Sequence, residues 1–487
     1  MRTSIPELIK DIGRELIGAG HRAYLVGGCV RDLILKREPK DWDVATDAKP
    51  DEIQKIFPES AYENQFGTVG IKTESEEPGL RVVEVTTFRL EGKYTDKRHP
   101  DEVKFARTVK EDLARRDFTF NALALDLDSE DGEIIDPFGG EKDLNNGVVR
   151  TVGSPAERLS EDALRLMRAV RFAVELDFEI DPNTRRAIEK LSPSLGAISK
   201  ERVRDELVKI IETRRATAGI ILLEELGLLE HVLPELREGL GVGQNKHHIY
   251  SVFEHNVKAL DYTASKNYPF HVRMASLLHD VGKPKTKRGE GSNSTFYSHE
   301  YVGAKMTAKA LDRLRFPKDF TEKVSHLVRY HLFYYNVGEV TEAGVRRFLA
   351  RVGPENVEDL LKVREADRIG SGVPKAFPYK LRHLLFMIEK VKKDPISPKM
   401  LKVNGGDVMK VLGIEPGPKI GWILAVLLED VLDDPKKNEA AYLEDKIRDL
   451  GAMSDSGLKK LAERATEIKD EFESGAEEEM KKKYYVK

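Results

Sequence analysis

A chain of 487 residues carries a single cysteine, Cys29. One thiol excludes an internal disulfide and fits a reducing compartment. Apolar runs are short as well, and none approaches the ~18–20 residues that cross a bilayer. The first ten residues, Met1 to Lys10, carry charge where a signal peptide would carry an apolar core. The expectation is a cytoplasmic protein with no membrane partner. Neither sign of charge dominates: 80 Lys and Arg face 84 Asp and Glu, leaving −4. That balance argues neither for nor against a nucleic-acid partner, because local basic stripes decide phosphate binding. No internal repeat is visible. Single cores seldom grow beyond about 250–300 residues, so roughly three or four domains are expected.

Apolar spacing organises the chain. Ile5, Leu8, Ile9, Ile12 and Leu16 predict an amphipathic helix over 4–18. Strand-like runs follow at 24–26, 41–45, 67–73, 81–88 and 122–127, with helical patterns at 30–36 and 50–57. This alternation predicts an α/β unit closing near Gly147. From 155 to 232 the pattern is helix after helix, broken at Pro182, Pro193 and Gly227. A helical, histidine-rich block covers about 245–375, and a last block begins near Pro395. Beyond Gly451 lies a Lys- and Glu-rich tail with few apolar anchors.

The chemistry concentrates first between Tyr24 and Thr46. The strand-like Tyr24-Leu25-Val26 runs into Gly27-Gly28-Cys29-Val30-Arg31-Asp32, a glycine turn opening a helix. Such a turn presents free backbone N–H groups to a triphosphate, and Arg31 can add a bidentate donor. Cys29, inside the turn, reads as a small buried residue rather than a reactive thiol. Asp41 and Asp43 then alternate along a predicted strand, so their carboxylates share a face. Two carboxylates so placed can hold Mg²⁺ between an attacking hydroxyl and a nucleotide phosphate. An isolated Asp-x-Asp often only caps a turn; the neighbouring glycine turn gives this one its meaning.

Farther on, Arg115-Arg116-Asp117 precedes Phe118-Thr119-Phe120-Asn121. Arg116 reads as a triphosphate or ribose contact, and Asp117 as a ribose or structural residue. Glu84 alternates onto a strand near the metal face, with a structural role favoured. In a helix opened by Glu161, Asp162, Arg165, Arg168 and Arg171 recur every three residues beside an apolar stripe of Leu164, Met167, Val170 and Val174. Such a stripe is also what a salt-bridged, solvated surface looks like. Against that, Asp accepts from an exocyclic amine and Arg donates to ring nitrogen or carbonyl oxygen, so the pair can read a base edge.

These segments resemble the palm of the class II tRNA nucleotidyltransferases (CCA-adding enzymes) and related bacterial poly(A) polymerases. Phe66-Gly67-Thr68-Val69, Val83 to Arg89, Arg115 to Ala122, Ile135 to Gly140 and Glu161 to Phe172 follow the family pattern in order, over about the first 235 residues. The resemblance implies a nucleotidyltransferase palm, a mixed sheet with flanking helices, followed by all-α neck, HD and body or tail domains. Their expected spans are 1–150, 151–240, 241–375 and 376–450, with a charged tail at 451–487. It implies that Asp162 and Arg165 template C and A, that Arg168 and Arg171 border the nucleotide, and that the polar segment 91–99 takes part in switching nucleotide choice. Lys402 to Met409 resembles the family's C-terminal body, which implies tRNA-arm binding.

In the histidine-rich block, His255, His279-Asp280 and Asp367 occur in order, with His299 and His331 between. The run Leu277 to Pro284 resembles the HD phosphohydrolase motif, in which imidazoles and carboxylates from separate helices share a divalent metal. His299 and His331 match additional ligands of some HD subgroups, which would make a two-metal site; His247 and His248 fall outside the pattern.

The expected function is template-independent addition of C, C and A to the tRNA 3′ end from CTP and ATP. Asp41 and Asp43 are the catalytic, Mg²⁺-holding residues, and Gly27, Gly28, Arg31, Arg116, Asp162, Arg165, Arg168 and Arg171 bind nucleotide. A second divalent metal of unassigned identity belongs to the HD site, with a phosphatase or phosphodiesterase activity there. An A-adding, CC-adding or poly(A) polymerase variant stays open, as does an HD phosphohydrolase whose N-terminal half binds RNA.

Overall fold

The computed structural model of the chain describes residues 5–64, 67–91, 103–129, 132–244, 249–333, 335–372, 378–392, 401–466, 483 and 485. Two compact units emerge, one of Met1–His331 with Lys362–Pro374, the other of Leu332–Leu361 with Lys375–Lys487.

The first unit opens with α1 (Glu7–Gly18), whose Ile9, Ile12 and Leu16 are buried as their spacing predicts. Then come β1 (Ala23–Val26), α2 (Gly28–Ile34), β2 (Asp43–Thr46), α3 (Pro50–Ile56), β3 (Ser60–Asn64), β4 (Thr68–Lys72) and β5 (Val82–Thr87). A small ribbon of β6 (Arg89–Glu91) and β7 (Val103–Phe105) precedes α4 (Val109–Ala114), β8 (Ala124–Asp126) and β9 (Ile134–Ile135). The seven-stranded sheet has the order β3-β4-β5-β2-β1-β8-β9. It is mixed: β2 and β5 run parallel and the other pairs antiparallel. Tyr24, Val26, Ala45, Phe88, Leu113, Ala122 and Val152 share one buried cluster against it. Most of the 91–99 segment lies outside the described residues, as do His247 and His248.

Two local expectations change. Asp41 stands in a bend two residues before β2 rather than on the strand. The helix expected from Glu161 is in fact α6 (Pro155–Glu161) and α7 (Leu164–Leu176), after α5 (Gly140–Asn146), with Asp162 extended at the junction (φ −136°, ψ 106°). The Asp162 side chain accepts from Leu164 N at 3.0 Å, which satisfies one of the orphan amides of the new helix start. An apolar period cannot reveal such a break, because Ala163 and Leu164 fit either geometry.

Behind α7 come α8 (Pro182–Leu191), α9 (Lys200–Glu212) and α10 (Ala216–Glu225). Asp181 starts α8 by accepting from the backbone of Asn183 and Thr184, with Pro182 at the first helical position. Palm and neck share a core rather than meeting at a linker. Phe172 of α7 stands edge-on to Phe118 and Phe120 at 5.6 and 5.3 Å, and Phe120 meets Phe178 at 6.1 Å.

Within the helical block expected over 241–375, the residues fall in both compact units. Leu332–Leu361 belongs to the second unit. There Phe333 packs on Phe348 at 5.2 Å, Tyr335 meets His383 Nδ1 at 2.6 Å and Glu342 pairs with Lys390 at 3.6 Å. Toward the C-terminus of that unit, Val408, Ile423, Leu427, Leu443, Ile447 and Leu458 form a separate core. Asn404 caps the helix Gly405–Leu412 by accepting from the backbone of Gly406 and Asp407.

Candidate active site and candidate metal centre

At the end of β1 the backbone turns at Gly27 with φ +78°, a conformation that favours glycine. A Cβ there would also stand 2.5 Å from Arg116 Nη1 and push that guanidinium aside. The turn opens into a cleft of about 980 Å³. Gly27, Gly28, Arg31, Asp41, Asp43, Arg116, Asp117, Arg168 and Arg171 all line it. Segments far apart in sequence thus converge on one cleft.

The carboxylates are crowded. Glu84 of β5 stands opposite Asp43 in the parallel register. Burial and the charges of Asp41 and Glu84 push the Asp43 carboxyl up to about 6, against the pull of Arg116. A carboxylate raised by burial and by neighbouring carboxylates marks a place where a cation is favoured. The sequence reading placed Glu84 near the metal face and favoured a structural role; its charge also acts on Asp43.

The cationic wall is built round one aromatic ring. The guanidiniums of Arg31, Arg168 and Arg171 lie 5.3, 5.3 and 3.9 Å from the Phe172 centroid. Arg31 is held by Asp32 (2.8 Å) and donates to Asn121 Oδ1 (3.0 Å). Arg168 donates to Asp117 Oδ2 at 2.7 Å, and Asn121 donates to Asp117 Oδ1 at 3.1 Å. Burial opposes the charge of Asp117, yet Arg168, Asn121 and Arg165 hold its carboxyl far below the usual range. Arg171 donates to Glu206 of α9 and to Glu175, both at 2.7 Å. Arg116 is joined to Asp112 at 3.5 Å, but among the described residues its buried Nε has no hydrogen-bond partner.

Asp162 and Arg165 are not brought into this lining. Arg202 of α9 holds Asp162 at 2.7 Å, and Arg165 donates to Arg158 O at 2.7 Å and pairs with Glu161. Asp32, Asn121, Phe172, Arg202 and Glu206 escaped the sequence reading. Asn121 sat inside a motif already singled out, and Arg202 and Glu206 are one turn apart on a predicted helix. Nothing in the sequence named their partners.

Cys29 is buried, its Sγ donating to Val26 O at 3.3 Å, and burial pushes its thiol up to about 12. That is an inert core residue, as the sequence suggested.

The second centre is buried and lies among helices of the first unit. Ser251 and Glu254 form a capping box that starts the helix Val252–Ser265, which carries His255. The helix Phe270–Leu278 ends at His279 and Asp280. Asp280 stands at the middle. Its Oδ2 lies 3.1 Å from His255 Nε2, 3.3 Å from His279 Nε2 and 2.5 Å from Lys283 Nζ. Its Oδ1 lies 3.2 Å from His299 Nε2 and 3.6 Å from His331 Nε2. Asp367 Oδ1 closes the group at 3.4 Å from His255 and 3.7 Å from His279. Gly282 permits this packing, since a Cβ there would meet His299 O at 2.2 Å.

Tautomers follow from the backbone. Nδ1 of His279, His299 and His331 lies 2.7–2.8 Å from the carbonyls of Ser276, Phe296 and Val328. A carbonyl only accepts, so each Nδ1 must donate, and each neutral Nε2 then faces Asp280 as an acceptor. Acceptors face acceptors in a buried space, and His255 Nε2 and His279 Nε2 are 2.8 Å apart. Neither Asp280 oxygen has an aligned hydrogen bond. Burial works against charge on His279, yet Asp280 and Asp367 push its pKa up to about 10, so these carboxylates draw a positive charge, a proton or a metal, to the place its Nε2 lone pair faces. Such a donor set calls for a cation and fits a divalent metal. Among the described residues, His255, His279 and Asp367, and likewise His279, Asp280 and His331, offer ligand atoms within 4.8 Å of one another.

Family models match in three stretches: a poly A polymerase head domain over 23–150, a probable RNA- and SrmB-binding site of polymerase A over 177–240, and an HD domain over 248–370. The chain is 37% identical to the A-adding tRNA nucleotidyltransferase of Deinococcus radiodurans, over 68% of this chain and 76% of that one. It is 33% identical to the CCA-adding enzyme of Enterococcus faecalis, over 91% and 96% of the two chains. Among solved structures, the Bacillus stearothermophilus CCA-adding enzyme in complex with CTP matches with a TM-score of 0.57 at 28% identity, covering 91% of this chain and 96% of that one. The Thermotoga maritima CCA-adding enzyme complexed with tRNA shares the fold, with a TM-score of 0.51 at 21% identity and 91% and 95% coverage.

Proposed function

This chain belongs to the family of CCA-adding tRNA nucleotidyltransferases, and we propose that it adds C, C and A to the tRNA 3′ end in the cytoplasm, using CTP and ATP and no nucleic-acid template. The observation that carries this is the cleft in which two crowded carboxylates, a glycine turn and a wall of arginines meet.

Asp41 and Asp43 would hold Mg²⁺, and the raised Asp43 carboxyl is what a bound cation would relieve. When bound, Mg²⁺ lowers the pKa of the attacking hydroxyl and neutralises charge on the leaving phosphates. The tRNA 3′-oxygen attacks the α-phosphorus; the bond to the β-phosphate oxygen breaks, pyrophosphate leaves and the hydroxyl proton passes to solvent. Arg116, with its buried unpartnered Nε, and Arg31 orient the triphosphate, and Arg168 and Arg171 border the nucleotide. Asp162 and Arg165 read the base, and for Asp162 this means exchanging its contact with Arg202 for a base amine. Most of the rate comes from positioning and charge stabilisation.

The histidine cluster supports a second activity. His255, His279, Asp280 and Asp367 would hold one divalent metal, and His299 and His331 a second through the other Asp280 oxygen. A metal there supplies an activated water for hydrolysing phosphomonoesters or cyclic phosphates, which suits repair of damaged tRNA 3′ ends.

The test is to incubate the protein with Mg²⁺, labelled CTP or ATP, and tRNAs ending before CCA, after C or after CC. Addition that stops at CCA is expected. Incorporation of A alone would place the chain beside its Deinococcus relative, and a long A tail or no incorporation would overturn the proposal.

A further inference from the structure

One buried guanidinium joins the wall of the nucleotide cleft to the helix that delivers the metal-centre residues. Arg273 is 3% exposed. Its Nη1 donates to Ile211 O, Glu212 O and Thr213 O at 3.0, 2.9 and 3.0 Å. Its Nε donates to Tyr268 O and its Nη2 to Asn267 Oδ1, both at 2.9 Å. The first three acceptors are closing carbonyls of α9, which the helix cannot satisfy itself. The same stretch is cleft wall: Lys209, Glu212, Thr213, Arg214 and Arg215 line the cavity. One turn earlier, Glu206 holds Arg171. Arg273 itself stands on the helix Phe270–Leu278, where the Ser276 carbonyl orients His279.

We propose that Arg273 is a positioning residue for nucleotide transfer, contributed by the helical region that carries the metal centre. The inference rests on the transfer reading above. A planar fork reaches the three α9 carbonyls, Tyr268 O and Asn267 together; a lysine ammonium is a point donor and cannot. Without the fork, buried carbonyls lose their partner and the last turn of α9 must open. The Lys209–Arg215 wall then loses its fixed place, and with it the alignment of bound nucleotide. Misplacement of about an ångström is enough to be read kinetically.

The experiment compares full-length Arg273→Lys, Arg273→Ala and a matched control, Arg313→Met. Arg313 also ties a backbone carbonyl (Val232 O, 3.4 Å) and a carboxylate (Glu235, 2.7 Å), and it does not line the cleft. KM and kcat for CTP addition, equilibrium CTP affinity and amide exchange over 209–215 are measured. Arg273→Lys should raise KM and Kd for CTP about tenfold and speed exchange at 211–215, with kcat changing less. Arg313→Met should lower Tm without moving KM, and guanidinium ion should partly restore CTP affinity to Arg273→Ala. Unchanged KM and Kd in folded Arg273→Lys, or an equal KM rise in Arg313→Met, would overturn the proposal. If wild type incorporates nothing, the transfer reading fails; CTP affinity and amide exchange still decide the role of Arg273.

Discussion

In the palm cleft, the carboxylates Asp41 and Asp43 come from one short segment, with Asp41 exposed and Asp43 half-buried. In the helical cluster, His255, the adjacent His279 and Asp280, and Asp367 come from three separate segments, and all four residues are buried. The cleft tempers its carboxylates with nearby guanidiniums, Arg116 pulling against the raised Asp43. The cluster has Lys283 beside Asp280 and otherwise fills its interior with imidazole acceptors. An open site keeps its charge balance adjustable, as successive substrates require. A buried site gives its acceptors little solvent to screen them, which favours a cation among them.

If that contrast is right, the two centres separate under mutation. The largest effect is expected from Asp43→Asn, which should cut nucleotide incorporation by about 10³-fold or more while leaving metal content at the cluster unchanged. Simultaneous loss of both would collapse the comparison. Next, His279→Ala should weaken metal binding at the cluster by about 100-fold or more, read by metal analysis after dialysis. CTP addition should stay within about twofold of wild type, since no ligand of the cluster lines the cleft.

Asp117 sharpens the palm side. Replacing it with Asn breaks a largely buried pair with Arg168 and should cost about 2 kcal/mol at neutral pH. Its folded pKa is depressed, so this stability is present above the unfolded carboxyl pKa of about 3.9 and is lost only as pH falls toward the folded value. Urea titrations of wild type and variant should therefore keep a constant gap from neutral pH to about 5, closing only below about 4. A gap already closing near pH 6 would assign the stability to another group. The smallest expected effect concerns base choice. Asp162→Ala should lower discrimination between CTP and UTP about tenfold, and loss of its bond to Leu164 N should cost about 1 kcal/mol of stability. Arg202→Ala, which frees Asp162 without removing it, should leave discrimination closer to wild type. Equal loss in both would mean that the ion pair itself, rather than the carboxylate, sets selection.

Much of this molecule could be read from its residues. The glycine turn before Arg31, the amphipathic α1, the alternation of helix and strand in the palm and the His279-Asp280 motif all depend on neighbours within a few positions. Local periodicity and backbone preference determine such features. What failed to appear were matters of partner. Asp162 fell at a helix junction because α6 ends at Glu161, which the apolar stripe could not show. Leu332–Leu361 went with the C-terminal helices because Phe333, Phe348, Tyr335 and His383 find each other there.

The sequence by itself determined the family, the α/β-then-helical order and which residue types could carry each chemistry. Only the tertiary structure decided which charges meet: Arg168 with Asp117, Arg171 with Glu206, Asp162 with Arg202, and two pairs of imidazoles around Asp280. The reason is physical. Periodicity fixes a side chain's face on its own element. The pairing of buried charges depends on which elements pack together, because an ion in a low-dielectric interior needs its partner within a few ångströms.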